Sequence, residues 1–292
     1  MRFLRFLVRE LVFHGILFAV VGTVVLSALY LLSTGADAAR YAEATRSFLL
    51  FISGSANSNT VGFTSGDIIL AGAKVTLPLA LISLVFLIMI SLVCSSFAVS
   101  SRYMSLNFGK KFGERTEQVW NFIASVLAAI PLFVGFWIAY MFFGNDVSLF
   151  LIALVTVILG GLSWDATNFL KTDMLSQVNQ THAIVFSTLG RNMGTFLPLP
   201  GTYSGYLFQS SLPRYIPYLA GKVPAIIGSV TIAEIAYSFP GLGSNLIDAL
   251  ISTNTDLLVT SVLILLCINA IVSFFVKTIL FLIYPRWYEK AI

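Results

Sequence analysis

Charged side chains are scarce in this chain. Only 10% of its 292 residues are Asp, Glu, Lys or Arg, whereas 58% are hydrophobic, and the mean hydropathy is +0.91. Soluble domains contain about 25% charged residues, so this composition excludes an ordinary water-soluble domain. It indicates a polytopic membrane protein, because helices that cross a bilayer core are depleted of charge.

Cysteine and histidine are nearly absent, with two of each. Cys94 and Cys267 lie within apolar runs, so no disulfide framework is predicted. His14 and His182 are far apart in sequence, which argues against a metal site or histidine catalysis. The chain also lacks a nucleophile elbow, an HExxH pair and a Gly-rich phosphate loop with its Lys. We therefore expect no cofactor, no nucleic-acid partner and no ATP hydrolysis by this chain itself.

Apolar runs predict an all-α polytopic fold with about six transmembrane helices. The first run has 22 residues, about 33 Å of helix, which exceeds a bilayer core of about 30 Å. The segment before it, 1–10, has Arg2, Arg5 and Arg9 at helical spacing and predicts a short interfacial helix. A cleaved signal peptide is the alternative for this end, but the apolar run is longer than a signal core. The predicted spans are 11–32, 75–99, 119–143, 148–163, 223–239 and 257–283.

Two long polar segments interrupt the spans. Residues 33–74 predict an external loop, with an apolar patch at 48–52 resting on the membrane surface. Residues 163–222 contain helical patterns at 168–189 and 212–219, separated by a turn-rich insert at 198–205. With the N-terminus inside, fourteen basic residues lie on the inner side and three on the outer side. Cytoplasmic loops carry the excess of Lys and Arg, so segment 163–222 and both termini are predicted to be cytoplasmic.

Glu234 is a carboxylate inside a late apolar run. An ionised side chain there costs several kcal/mol unless it faces protein or water, which makes Glu234 a candidate gate or pore residue. The alternative is a structural residue near the external interface. Directly after this run, Pro240, Gly241, Leu242 and Gly243 predict a sharp external turn, since Pro removes a donor and Gly permits positive φ.

The order of features at the C-terminal end is more specific than its parts. Segment 232–243 reads IAEIAYSFPGLG, and 246–250 reads LIDAL, before a last span and Tyr284-Pro285-Arg286. This pattern resembles the permease subunits of binding-protein-dependent ABC importers, especially the dipeptide, oligopeptide and nickel branch. Their C-terminal region reads Glu-x-x-Phe-x-x-Pro-Gly-Leu-Gly, then Asp-Ala, a final helix and Asp-Pro-Arg. The resemblance is strong over 230–288 and weaker over 67–143.

The resemblance implies a type I ABC importer permease-like fold, with residues 1–292 as a single transmembrane permease domain. It implies half of a translocation pore for a small solute, such as a peptide or metal complex, in a bacterial cytoplasmic (inner) membrane. The implied partners are a second permease in a homo- or heterodimer, two ATP-binding subunits and an external solute-binding protein. A non-transporting scaffold derived from a permease and a polytopic membrane enzyme are the alternatives.

In that family the large cytoplasmic loop contains a coupling helix that docks on the ATPase and ends before a Gly. The matching segment here is 181–190, in which the family's charged residues are absent. The resemblance therefore implies an ATPase contact made more by packing than by ion pairs. Its expected residues are His182, Ile184, Val185, Phe186, Leu189 and Gly190.

Overall fold

The described part of the chain is mostly helical and contains no strand. The computed structural model describes residues 2–32, 38–52, 62–108, 110–144, 148–159, 161–178, 180–188, 198–252 and 254–283. Within these ranges the all-α fold predicted from the apolar runs is confirmed. The helices are α1 Arg2–Leu32, α2 Ala38–Ile52, α3 Gly62–Phe108, α4 Lys110–Ala129, α5 Leu132–Phe143, α6 Leu149–Ile158, α7 Leu162–Val178, α8 Thr181–Thr188, α9 Tyr203–Ala236, α10 Leu242–Ile251 and α11 Thr255–Ile283.

Four of these helices are long and apolar enough to cross a membrane, namely α1, α3, α9 and α11. Two further spans result if the bent pairs α4–α5 and α6–α7 each cross once, which gives up to six among the described residues. At 34 residues, α9 is about 51 Å long, well above the roughly 30 Å of a bilayer core. Part of α9 therefore lies beyond the hydrocarbon region when the helix spans.

The third and fourth predicted spans are not straight helices. Run 119–143 breaks at Pro131, and the axes of α4 and α5 differ by 90°. Proline has no backbone N–H and restricts the residue before it, so a helix commonly ends there. Run 148–163 breaks between α6 and α7 with a 57° bend, where Gly161 has φ +83°. The apolar pattern located these segments, and each of them is a bent pair of helices.

Other boundaries also differ from the sequence-based expectations. The interfacial segment 1–10 and the first span form one helix, α1, and the loop predicted at 33–74 contains α2 and the start of α3. Pattern 168–189 is divided between α7 and α8. Pattern 212–219 is part of α9, which continues through three internal prolines. The same helix contains most of the span predicted at 223–239, so the two segments predicted as separate are continuous.

The chain divides into two compact units, of which the first comprises residues 1–79 and 230–282. In this unit Ala44 and Phe48 of α2 pack against Val259 and Leu263 of α11. Phe48 is buried by this contact, so it does not rest on the membrane surface as predicted. A neighbouring cluster joins α10 to the start of α11 and consists of Leu242, Ala249, Leu257 and Leu258.

The second unit comprises the described residues within 80–229, together with residue 283. Its main apolar core brings together α3, α7, α8 and the first half of α9. The buried members are Val99, Leu170, Met174, Ala183, Tyr203, Leu207 and Tyr215. Helix α4 packs against α7 through an edge-to-face contact between Trp120 and Trp164, whose ring centroids are 5.4 Å apart. The short helix α8 is therefore fixed on a packed base.

Candidate functional site

Glu234 lies near the end of α9 and is completely buried in the first unit. Its Oε1 accepts a hydrogen bond of 2.6 Å from the Thr76 hydroxyl of α3. Its Oε2 accepts one of 2.8 Å from the backbone N–H of Gly243 at the start of α10. A buried carboxylate is stable only with such partners, so Glu234 connects α3, α9 and α10.

The turn after α9 brings the chain back over this carboxylate. Ser238 adopts a left-handed conformation with φ +54°, and the Phe239 N–H donates to the Glu234 carbonyl at 2.9 Å. Gly241 precedes α10, and its N–H donates to the Ser244 hydroxyl at 3.0 Å. The first N–H groups of a helix lack partners within the helix and favour negative charge. Glu234 occupies this position at the N-terminus of α10.

Thr76 completes the arrangement and was missed by the sequence analysis. In addition to binding Glu234, its Oγ1 accepts a hydrogen bond of 2.8 Å from the Leu242 N–H. It is separated from Glu234 by 158 positions. A threonine within an apolar run has no feature that would distinguish it from other buried threonines before the fold is known.

The glycines of the turn are required by close approach. A Cβ on Gly241 would lie 2.0 Å from Cδ of Glu234, and one on Gly243 would lie 2.4 Å from Cγ2 of Thr231. Both distances are shorter than any normal contact, so side chains are excluded there. Of the four residues predicted as a turn, Pro240 and Gly241 lie between the helices, whereas Leu242 and Gly243 are the first residues of α10. The pore-facing role of Glu234 stays a prediction.

Helix α8 carries most of the residues that were expected to contact an ATPase. Ala183 is buried in the core of the second unit, while Ile184 and Val185 are 51% and 55% exposed. Phe186 instead stacks on Tyr206 of α9, with ring centroids 4.2 Å apart, and is packed against the core. Leu189 and Gly190 lie outside the described residues.

His182 is exposed on the same helix, and its ring centroid lies 5.8 Å from that of Tyr206. It borders an open pocket together with Thr181, Val185, Phe186 and Tyr206. Within the described residues, no group of three or more His, Cys, Asp or Glu side chains could hold a metal ion. The surface of α8 therefore offers apolar side chains and one imidazole for contact with a partner.

A second charged cluster lies in the first unit, between α1 and α11. Lys277 Nζ donates to Oε2 of Glu10 at 2.9 Å, and Nδ1 of His14 lies 2.8 Å from the carbonyl oxygen of Glu10. Phe6 stacks on Phe281 near this cluster, with ring centroids 4.3 Å apart. These contacts attach α1 to α11 and pair Glu10 with Lys277.

Four apolar helices and two bent helix pairs that could each cross a membrane indicate a multi-pass membrane protein. Residues 98–288, more than half of the chain, match the family described as "Binding-protein-dependent transport system inner membrane component". The chain belongs to this family, whose members are permease subunits of ABC importers in the inner membrane and not enzymes. No curated protein matches the chain.

Proposed function

We propose that this chain forms half of a translocation pore, paired with a second permease, for a small solute such as a peptide or metal complex. Two ATP-binding subunits drive the pore from the cytoplasm, and an external solute-binding protein delivers the solute. The dipeptide, oligopeptide and nickel branch is supported by the motif in segment 232–243 and by LIDAL at 246–250. Both termini are cytoplasmic in this proposal, as the distribution of Lys and Arg favours.

The ATPase contact is assigned to α8, and one observation carries this assignment. Ile184 and Val185 are exposed side by side on an eight-residue helix that lies outside all the candidate spans. Apolar side chains exposed together on a helix outside the spans are a candidate contact surface for a protein partner. Ala183 and Phe186 hold the opposite side of α8 on its own core. The helix is thus anchored on one side and apolar on the other.

Glu234 is proposed as a gate residue that acts by holding helices together. Its carboxylate contacts Thr76 and Gly243 directly, and these residues lie on α3 and α10. Opening a pathway next to α10 requires these contacts to move together or to break. The helices are expected to move together, because both hydrogen bonds to the Glu234 carboxylate are charge-assisted and therefore costly to break.

The experiment is copurification with the ATP-binding subunit encoded nearest to this chain. An Asp introduced at Ile184 or Val185 would be buried without a partner in the interface, so each variant should reduce the copurifying ATPase. Full burial of an Ile or Val side chain stabilises a contact by about 1.5–3 kcal/mol. Losing this contribution corresponds to a loss of affinity for the ATPase of about tenfold to a hundredfold. Ile184→Val, which keeps an apolar side chain, is the control and should retain the ATPase.

Ionic strength provides a second test of the same contact. Apolar packing is insensitive to salt, whereas exposed ion pairs are screened. Association should therefore persist from low to moderate salt.

Gly190→Trp, at the end of the matching segment, is a third test and should also deplete the ATPase or uncouple its hydrolysis from transport. Retention of the ATPase by both Asp variants, or its removal by moderate salt alone, would contradict the assignment of α8.

A further inference from the structure

Three side-chain contacts connect α7 to α9 in the second unit. Asp165 pairs with Lys222 at 2.9 Å, Phe169 stacks on Tyr218 with centroids 4.1 Å apart, and Asp173 pairs with Arg214 at 2.6 Å. On each helix the three residues follow one another at intervals of four, which places them on one face. As positions rise along α7 they fall along α9, so the helices are antiparallel. We call these six residues the α7–α9 seam.

The seam specifies one register. Both acids belong to α7 and both bases to α9, with an aromatic pair between them. A shift of one helical turn would place a ring opposite a charged group and separate both ion pairs. Exposed ion pairs contribute little stability, and the Asp165 side chain is 62% exposed. The Asp173 side chain, however, is only 10% exposed, and a partly buried charge strongly disfavours a register that removes its partner.

The same two helices hold α8. α7 ends at Val178 and α8 begins at Thr181, with the Ala183 N–H donating to the Gln180 carbonyl at 3.0 Å. At its other side α8 contacts α9 through the stacked pair Phe186 and Tyr206. The position of α8 therefore depends on how α7 and α9 are aligned.

We propose that the α7–α9 seam is a register lock that keeps α7, α8 and the first half of α9 as one rigid body. Its six members are positioning residues, because they act on α8 through the helices that carry it. A displacement of α8 is then transmitted to α9 without sliding between α7 and α9. The transport consequence rests on the proposed function, in which an ATPase displaces α8, but the register lock itself does not.

The test is a charge exchange at the more buried ion pair. Asp173→Arg and Arg214→Asp are made separately and together, in a chain whose native cysteines have been replaced. Spin labels are placed on α8 at Val185, which is exposed, and on α9 at Gly221, where a Cβ would meet no atom within 4 Å. The distance distribution between the two labels is then measured by pulsed electron resonance on the purified permease.

The parent protein should give one narrow distribution, and each single reversal should shift or broaden it because like charges then face each other. The double exchange should restore the narrow distribution, which a general loss of stability would not predict. If a reversal fails to insert, Asp173→Asn removes the charge while keeping the shape and should broaden the distribution by itself. An unchanged distribution in the single variants, or in Asp173→Asn, overturns the proposal, as does a double exchange that stays broad.

Copurification of the ATPase with the same charge variants, made in the unlabelled chain that keeps Val185 and Gly221, separates the two proposals. Loss in the single reversals and recovery in the double exchange would support the lock and its role in coupling. If the parent protein binds no ATPase although its distance distribution is narrow and responds to the exchange, the proposed function fails and the register lock stands. If the parent binds ATPase while the exchange has no effect on the distances, only the register lock fails.

Discussion

Thr76→Val probes the most connected hydroxyl of the candidate gate. Valine has nearly the shape of threonine, so the variant removes an oxygen without creating a large cavity. The lost oxygen donates to Oε1 of Glu234 at 2.6 Å and accepts from the Leu242 N–H at 2.8 Å. Both partners belong to residues that are completely buried.

The expected cost follows from the two bonds. A hydrogen bond to a charged group contributes about 1.5–3 kcal/mol, and a buried N–H left without an acceptor costs about 1–3 kcal/mol. We take about 3 kcal/mol for the Thr76 site as a whole, since the contributions are not additive. At about 2–4 °C per kcal/mol for a domain of this size, the melting temperature should fall by about 6–12 °C. Thr76→Ser keeps the oxygen and loses one methyl group, worth about 0.8 kcal/mol.

The assay is thermal unfolding of the purified permease in detergent, followed by tryptophan fluorescence. Thr76→Val should melt well below the parent protein, and Thr76→Ser should lie between them and closer to the parent. A Thr76→Val protein that melts with the parent would refute the bridging role. Equal destabilisation by valine and serine would show that the methyl group matters and the oxygen does not.

Three further predictions use other parts of the chain. Gly241→Ala should destabilise the protein strongly in the same melting assay, because its Cβ would lie 2.0 Å from Cδ of Glu234. Gly228→Ala is the control and should be tolerated, because its Cβ would meet no atom within 4 Å. Equal melting temperatures of the two variants would contradict this prediction. Glu234→Gln should keep assembly with the ATPase but change the coupling of ATP hydrolysis to transport, and wild-type coupling would count against a gate role. In intact cells without native cysteines, a membrane-impermeant maleimide should label a Cys at Asn57 and spare one at Gln180; the opposite result would reverse the proposed orientation.

The sequence analysis found the helices that are continuous apolar runs, because hydropathy is a sum over neighbouring residues. It did not predict the break at Pro131, where a single residue ends a helix within an apolar run. It also read 212–219 and 223–239 as separate segments, whereas α9 runs without a break from Tyr203 to Ala236. Pro213 and Pro217 lie in the first half of α9, which packs against α7, and such packing offsets the local preference of proline to end a helix.

The candidate site was only partly predictable for a related reason. Glu234 was recognisable because a carboxylate in an apolar run is costly wherever the helix lies. Its partner Thr76 lies 158 positions away in sequence. The two ion pairs of the seam join residues that are 41 and 57 positions apart. Asp165 and Asp173 therefore cannot be recognised as partners of Lys222 and Arg214 before the helices are placed side by side.

The prolines of α9 have a mechanical consequence. Each proline in a helix removes one hydrogen bond and weakens the resistance of that turn to bending. The bond lost at each proline is the one to the carbonyl four residues earlier, so Pro217 weakens turn 213–217, which contains Arg214, and Pro224 weakens turn 220–224, which contains Lys222. Both turns are braced by α7 through the seam. Pro213 weakens turn 209–213, which precedes the first seam residue, so bending of α9 is expected to concentrate there, at an elastic joint in a helix that is otherwise stiffened.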